Sequence, residues 1–233
     1  MKALILGTGG DKLAFKEFEK KSGKNYFGEY EYYQASDLIV LPRHKMAHSV
    51  APHLINYRAN IHALKDLECE EVISVYAVGS ISDNLLPGEI GYVTDHIDMT
   101  HSRNNSFFDG TFYSLKHVNA ENQFSNALQE KIIKVLPSIR RDLLYVTTQG
   151  PRLETKAEIR AYKVMGCDVV GMTLSTEADL INELEIPNLA LCYSINMAAG
   201  LSSTGLEFIG DDEVKKISQT IVDSAIKVLL NEW

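Results

Sequence analysis

Five short apolar segments of the chain are each followed by glycine or proline together with polar residues. These loops are residues 7–10 (GTGG), 42–45 (PRHK), 76–80 (YAVGS), 171–180 (GMTLSTEADL) and 194–200 (SINMAAG). They supply hydroxyl, guanidinium, imidazole and amide groups, with neither a Ser-His-Asp set nor the spacing of a metal site. This combination favours the positioning of a phosphate beside a polar, planar ligand.

The first three loops carry groups that suit an anion. The glycines at 7–10 let the backbone approach an anion closely, and Thr8 adds a hydroxyl donor. Arg43 offers a fixed fork of donors, and His44 stands next to it. Backbone N–H groups at 76–80 could add to the same site. Each feature alone is also typical of a turn or a solvated loop, so the prediction depends on their combination.

The last two loops could bind more than the phosphate. The hydroxyl of Thr173 could reach an anion, whereas Met172 could either cover an apolar ligand face or belong to the core. Ser175 or Thr176 is expected to cap the helix that follows. Asn196 ends a buried strand pattern and can both donate and accept, although asparagine is also common in turns.

A further carboxylate lies in the segment TTQGPRLETKAEI, residues 147–159. The pattern predicts a strand that breaks at Gly150 and Pro151 and a helix that starts soon afterwards. Glu154 falls where that helix should begin. From the residues alone it is either a carboxylate at a helix N-terminus or a contact to a ligand.

Alternating strand and helix patterns must position these loops. Strands are predicted at residues 3–6, 38–41, 72–78, 90–93, 143–147, 168–171 and 189–195. Helices are predicted at 53–66, 121–136 and 211–230, and further helices after the 147–151 and 171–174 strand ends. The predicted fold class is α/β, with one domain over residues 1–233 and a central mixed, twisted sheet flanked by helices.

Composition narrows the functional classes. The 233 residues carry a net charge of −8 without a Lys/Arg block, which argues against nucleic acid as the main partner. The first apolar run is too brief for a signal peptide or a membrane span, so no membrane partner is expected. Three cysteines without C-x-x-C spacing favour a reduced, cytoplasmic protein.

Taken together, the motifs resemble a known family. GTGG, PRHK, YAVGS, TQGPRLETKAEI, VVGMT and INMAAG occur in the order found in the trimeric purine nucleoside phosphorylase and 5′-methylthioadenosine phosphorylase family. The resemblance covers about residues 3–230. It implies that phosphate, a co-substrate, attacks the anomeric carbon of a nucleoside while the purine leaves. It also implies that neither a cofactor nor a metal takes part.

The resemblance implies roles for particular residues. Four of them are expected to be catalytic: Arg43, His44, Glu154 and Asn196. The phosphate positions correspond to Thr8, Arg43, His44, Tyr76, Ala77 and Thr173. The substrate positions correspond to Leu153, Glu154, Met172, Asn196, Met197, Ala198 and Ile209. His117 matches a residue that reaches into a neighbour's site, which implies a homotrimer.

The same resemblance suggests the substrate. An ionised Glu154 can accept a hydrogen bond from N1–H of a 6-oxopurine, whereas adenine presents an acceptor there. Enzymes specific for 5′-methylthioadenosine are expected to carry a small hydroxyl residue at position 154 and aspartates at 196 and 198, where this chain has Asn196 and Ala198. A buried mismatch costs roughly 1–3 kcal/mol. Ile209, with Phe208, lies near the expected 5′ position and suits a methylthio group.

Several alternatives remain at this point. The motifs are most similar to bacterial S-methyl-5′-thioinosine phosphorylases, but inosine and guanosine are rival substrates, and 5′-methylthioadenosine is a third. A dinucleotide-binding reductase would need a third glycine where Lys12 stands. A non-catalytic nucleotide-binding module is the remaining class. The segment between residues 10 and 38 is shorter and more charged than the family pattern leads one to expect.

Overall fold

The computed structural model describes residues 1–7, 15, 17–46, 49–203 and 205–232. Its strands are β1 (Lys2–Leu6), β2 (Glu19–Asn25), β3 (Gly28–Ala35), β4 (Leu38–Pro42), β5 (Glu71–Ser80), β6 (Ile90–Asp98), β7 (Arg140–Thr147), β8 (Val169–Gly171) and β9 (Asn188–Met197). Its α-helices are α1 (Tyr57–Asp66), α2 (Asn126–Val135), α3 (Lys156–Val164), α4 (Leu174–Glu183) and α5 (Asp211–Leu230). Thr8, predicted to bind phosphate, lies outside the described residues.

Nine strands form one sheet in the part of the chain that the structure describes, in the order β2-β3-β4-β1-β5-β8-β7-β6-β9. Strand β9 also pairs with β5, so five of the strands close into a ring. Strand β1 is parallel to β4 and β5, whereas β5 is antiparallel to β8. The prediction of an α/β fold with a mixed sheet is therefore confirmed.

Helices cover both faces of the sheet because side chains alternate along its strands. Leu4 of β1 lies in a core cluster with residues of α2 and α5. Ile5, its neighbour, lies in a second cluster with residues of α1 and α4. Both side chains are fully buried. Two apolar layers thus fix the strands, and with them the loops at the strand ends.

The sequence patterns missed the β2–β3 hairpin. Strand β2 reads EKKSGKN and has no fully buried residue, so it lacks the apolar signature of a strand. It forms because it pairs antiparallel with β3 at the outer edge of the sheet. Charged side chains suit such an edge strand, which must avoid pairing with other chains.

Two helices begin later than predicted. Helix α1 starts at Tyr57, because Asn56 caps it by accepting from the backbone N–H of Ala59. Helix α2 starts at Asn126, where Ser125 is the cap. In both cases the capping residue, and not the spacing of apolar residues, determines where the helix begins. Helix α5 spans residues 211–230 as predicted, with three acidic residues in its first turn.

Among the described residues, the structure contains no helix that is long and apolar enough to cross a membrane.

Candidate active site

A cavity of about 210 Å³ opens where the ends of several strands meet. Most of the predicted site residues line it: Arg43, His44, Tyr76, Ala77, Leu153, Glu154, Met172, Thr173, Asn196 and Ala198. They come from the loops after β4, β7 and β8, from β5 itself, and from the end of β9 and the residue after it. Parallel pairing of β1, β4, β5 and β9 brings their carboxyl ends to the same side, which is where such folds place ligands.

Arg43 is held at one end of the cavity by a buried carboxylate. Its Nε lies 2.7 Å from Oε1 of Glu177, and its Nη2 lies 3.0 Å from Oε2. Nη1 donates to the carbonyl of Val75 at 2.9 Å. Arg43 and Glu177 are 2% and 1% exposed, so the pair is out of water. A guanidinium has five N–H donors, so two remain after these contacts.

Tyr76 completes this cluster. Its hydroxyl donates to Oε2 of Glu177 at 2.8 Å, and its ring lies 4.5 Å from the Arg43 guanidinium carbon. Burial by itself disfavours a charged guanidinium, but the carboxylate of Glu177 raises the pKa of Arg43 above its usual value. Burial and the same carboxylate also raise the pKa of the Tyr76 hydroxyl well above its usual value. Arg43 is therefore a permanent cation and Tyr76 a neutral donor.

Gly7, at the end of β1, lies directly against Arg43. A Cβ built on Gly7 would clash with Nη1 of Arg43. A glycine is thus required here so that the guanidinium can approach the backbone. This contact joins the first predicted loop to the second.

His44 and Thr173 add polar groups to the Arg43 end of the cavity. His44 is 7% exposed, and its Nδ1 lies 2.7 Å from the carbonyl of Val50. A protonated Nδ1 donates this bond and orients the ring. Thr173 is the N-cap residue of α4, and its hydroxyl makes no capping bond to the described helix. The prediction that Ser175 or Thr176 caps this helix was therefore wrong, because the helix begins one residue after Thr173.

Glu154 lies outside helix α3 and does not cap it. The helix is capped by Thr155 and Glu158, whose side chains and backbone N–H groups bond reciprocally. The carboxylate of Glu154 instead accepts from the hydroxyl of Thr148 at 2.6 Å, through Oε1. The interpretation of Glu154 as a helix-start carboxylate is therefore wrong, and its side chain lines the cavity.

Arg103 ties together the two loops that carry Glu154 and Met172. It donates to the carbonyls of Met172 and Gln149, at 2.8 Å in each case, and to that of Thr148 at 3.3 Å. One guanidinium thus bonds to backbone carbonyls after both β7 and β8. These bonds fix the distance between the two loops. The sequence patterns did not single out Arg103, because its partners lie 45 to 69 residues away.

Asn196 lies at the other side of the cavity, where β9 meets β5. It is 7% exposed and faces Gly79, at a shift in the register between the two strands. Its Nδ2 donates to the carbonyl of Met197 at 2.8 Å. An amide nitrogen has a second hydrogen, so the group can still donate to a ligand.

These features agree with comparisons to known proteins. A sequence profile described as the Phosphorylase superfamily matches residues 3–231. The chain belongs to the Phosphorylase superfamily.

Named relatives of this phosphorylase match most of its length. A 6-oxopurine nucleoside phosphorylase from Pyrococcus furiosus is 36% identical, over 98% of this chain and 90% of the relative. A probable S-methyl-5′-thioinosine phosphorylase from Thermodesulfovibrio yellowstonii is 34% identical, over 96% of this chain and 87% of the relative. The family resemblance carried by the motifs is thus confirmed.

A solved structure shares the fold of this phosphorylase. Methylthioadenosine phosphorylase from Schistosoma mansoni, in complex with tubercidin, superimposes with a TM-score of 0.88. The two chains are 23% identical, and the match covers 98% of this chain and 90% of the other. This likeness supports the fold and says nothing about which purine the present phosphorylase prefers.

Three residues predicted to contact substrate do not line the described part of the cavity: Met197, Ile209 and His117. Ile209 is replaced there by Phe208, because residue 208 forms an isolated bridge with Asn196 while the Ile209 N–H bonds to the carbonyl of Ile195. Met197 is the last residue of β9 and is not among the residues that line the cavity. His117 is exposed, far along the segment between β6 and α2.

Sequence reasoning also missed members of the site in this phosphorylase. Glu177 was not identified, although a glutamate among the apolar residues of a helix that is buried on most sides is unusual. That pattern could have indicated a buried ion pair. Leu206 lines the mouth of the cavity beside Leu153 and was not identified either, whereas Phe208, expected with Ile209 near the 5′ position, lines the cavity as well.

Proposed function

We propose that this phosphorylase cleaves a 6-oxopurine nucleoside with inorganic phosphate, and that S-methyl-5′-thioinosine is its preferred substrate. The products are hypoxanthine and 5-methylthioribose 1-phosphate. The observation that carries the proposal is the carboxylate of Glu154, which lines the cavity and is not used in capping α3. The names of the two relatives, which act on 6-oxopurine or methylthioinosine substrates, support the same choice.

Phosphate would bind at the Arg43 end of the cavity. The two remaining guanidinium donors, the His44 ring and the Thr173 hydroxyl suit its oxygens. Thr173 is also the N-cap residue of helix α4, whose N-terminus favours an anion. Tyr76 and Ala77 line the same cavity, and Thr8 is assigned to the phosphate site by family resemblance. Phosphate is a co-substrate in this proposal, and neither a cofactor nor a metal is required.

The reaction exchanges one bond at the sugar for another. A phosphate oxygen forms a bond to C1′ of the ribose while the bond from C1′ to N9 of the purine breaks. The bonding electrons pass into the purine, which takes up the proton that the attacking hydrogen phosphate gives up and leaves as the neutral base. The sugar has oxocarbenium character at the transition state, with Met172 lying against it. Arg43 and His44 position the nucleophile, so catalysis depends on placement and on stabilising the departing base.

The purine would lie between Glu154 and Asn196. Oε2 of Glu154 accepts from N1–H, and the amide of Asn196 donates to N7 or O6 of the leaving base, where negative charge builds. Adenine has an acceptor at N1, so it would face the carboxylate without a hydrogen. Ala198 leaves no carboxylate beside Asn196 that could accept from an adenine amino group.

The 5′ end of the nucleoside would face an apolar mouth. Leu153, Leu206 and Phe208 line the cavity and are 47%, 40% and 53% exposed. A methylthio group covers such surface, whereas a hydroxyl would lose hydration without gaining a partner. Phe208 takes the part expected of Ile209, which supports methylthioinosine over inosine.

The proposal extends to assembly and location. His117 would reach the site of a neighbouring subunit in a homotrimer, and this role suits its exposure in a single chain. Cys69, Cys167 and Cys192 are buried and unpaired, which fits a reducing cytoplasm. Release of a free purine and a sugar phosphate fits a role in purine salvage.

One assay tests the proposed reaction. The purified protein is incubated with S-methyl-5′-thioinosine, inosine or 5′-methylthioadenosine, with and without phosphate, and the free base is measured. We expect hypoxanthine only when phosphate is present, and the highest kcat/KM with methylthioinosine. The adenine nucleoside should be about 5- to 150-fold poorer. Base release without phosphate, or preference for 5′-methylthioadenosine, would overturn the proposal.

A further inference from the structure

We propose that Thr148 is a positioning residue that sets the base specificity of the site by holding the carboxylate of Glu154 in a fixed orientation. The inference rests on the proposed function, because it assigns a partner to the carboxylate that reads the purine. Thr148 does not line the nucleoside cavity. It acts through Glu154 and not on the substrate.

The hydroxyl of Thr148 is a fixed donor. Its backbone N–H donates to the carbonyl of Gly171 at 2.8 Å, and its carbonyl accepts from Arg103 at 3.3 Å. The residue is 8% exposed. Both contacts come from other parts of the chain, so the Thr148 backbone is held from two sides. Its hydroxyl therefore presents its hydrogen from a defined position.

The single hydroxyl hydrogen is directed to Glu154. Oγ1 of Thr148 lies 2.6 Å from Oε1 of Glu154 and 3.4 Å from the carbonyl of Gly171. The Gly171 carbonyl already accepts from the Thr148 N–H, so the carboxylate is the better acceptor. A donor at Oε1 leaves Oε2 of Glu154 as an acceptor. An acceptor at this position selects a purine that bears N1–H.

A second cavity gives Glu154 an alternative place to point. Glu154 lines this cavity as well, together with Thr148, Arg152, Glu158 and other residues. The hydrogen bond to Glu158 raises the pKa of Arg152, and the nearby carboxylate of Glu154 adds a smaller rise. A carboxylate released from Thr148 could therefore turn toward this cation. The hydrogen bond from Thr148 holds Glu154 in the position where it also lines the nucleoside cavity.

Substitution of Thr148 separates the hydroxyl from the shape of the side chain. T148V keeps the volume and removes the donor, whereas T148S keeps the donor. We expect T148V to lower kcat/KM for inosine about tenfold or more, as for loss of a hydrogen bond to a charged group. T148S should stay within about threefold of wild type, and KM for phosphate should stay within about twofold in both variants. T220V, at an exposed position on α5, is the matched control and should behave as wild type.

A double-mutant cycle tests whether Thr148 works through Glu154. In an E154A background, T148V should have no further effect on kcat/KM, because the carboxylate it orients is gone. Additive losses would contradict the inference. So would equal losses in T148V and T148S, or a rise in phosphate KM that parallels the loss with inosine, since both would indicate a structural role.

Binding of free bases tests the role of Thr148 even if the protein does not cleave nucleosides. The dissociation constants of hypoxanthine and adenine are measured by calorimetry in the presence of phosphate. We expect wild type to favour hypoxanthine and T148V to lose most of that preference. If wild type shows this preference but releases no base from nucleosides, the proposed reaction fails and the role of Thr148 stands. An unchanged preference in T148V, or no preference in wild type, would overturn the role of Thr148.

Discussion

Two carboxylates near the cavity have opposite surroundings. Glu177 is fully buried and is satisfied by Arg43 and Tyr76, so it has little capacity left for a ligand. Glu154 is half-buried and accepts one hydrogen bond from a described side chain, that of Thr148. The first carboxylate fixes a cation, and the second leaves an oxygen available for the substrate. The two glutamates therefore differ in role because they differ in hydrogen-bond partners.

Removing the charge of Glu177 should destabilise the protein. In the variant E177Q, the guanidinium of Arg43 stays buried without an anion, which costs about 3–5 kcal/mol of unfolding free energy. Urea denaturation measures this loss of unfolding free energy. The KM for phosphate should also rise, because the guanidinium of Arg43 is no longer held in one orientation. E185A is a suitable control, since Glu185 pairs with Lys116 at the surface and its loss should change stability little. A loss below 1 kcal/mol in E177Q would contradict this role.

Among the elements, helix α3 shows how a boundary positions a functional residue. Thr155 and Glu158 cap the helix, and Arg152 donates to both oxygens of Glu158 at 2.7 and 2.9 Å. Because Thr155 and Glu158 bond to the backbone N–H groups at the start of α3, Glu154 is not needed as a cap. The capping pattern T-x-x-E was visible in the sequence and could have placed the helix start at residue 155.

The stability of this helix start should depend on pH. The hydrogen bonds from Arg152 and from the Thr155 backbone lower the pKa of Glu158 to about 2. A lowered pKa in the folded state means that the ionised carboxylate stabilises the protein above its unfolded pKa, and that this contribution is lost as the pH falls toward 2. The difference in unfolding free energy between wild type and E158Q should be about 1 kcal/mol or less above pH 5, since the pair is exposed to solvent. It should shrink toward pH 2, and a difference independent of pH would contradict this.

The elements also show what could be predicted from sequence and what could not. Apolar runs such as those of β1 and β5 identify buried strands, because burial on both faces requires them. The charged strand β2 has no such run and depends on its pairing with β3. The partnership of Arg43 and Glu177 spans 134 residues, so only the folded sheet brings them together. Phe208 takes the position expected of Ile209 because a bridge to β9 fixes which side chain faces the cavity.

At the scale of the whole molecule, the closed ring of five strands is the frame for the site. Arg43, Glu154, Thr173 and Asn196 lie far apart in sequence and reach one cavity from different loops around this frame. Apolar layers on both faces hold the strands in place. The residues proposed to bind phosphate and purine are therefore positioned by the sheet, and the apolar mouth of the cavity is exposed in the single chain.

If subunits share the site, activity should recover when two inactive variants are mixed. The assembly should sediment at three times the chain mass of 26.0 kDa. H117A and R43A should each have low kcat/KM for methylthioinosine, because one lacks the residue from the neighbour and the other lacks the phosphate contact. After dissociation and reassembly together, some sites combine an intact Arg43 with an intact His117. A mixture no more active than its components, or an active monomer, would contradict a shared site.

The most direct test of the central claim is a crystal structure of the protein with hypoxanthine and phosphate bound. The measured quantity is the distance between the carboxylate of Glu154 and N1 of the base. We expect Oε2 to lie within about 2.6–3.2 Å of N1, as in a hydrogen bond, with Oε1 still bonded to Thr148. A bound purine with Glu154 turned away from N1 would contradict the account.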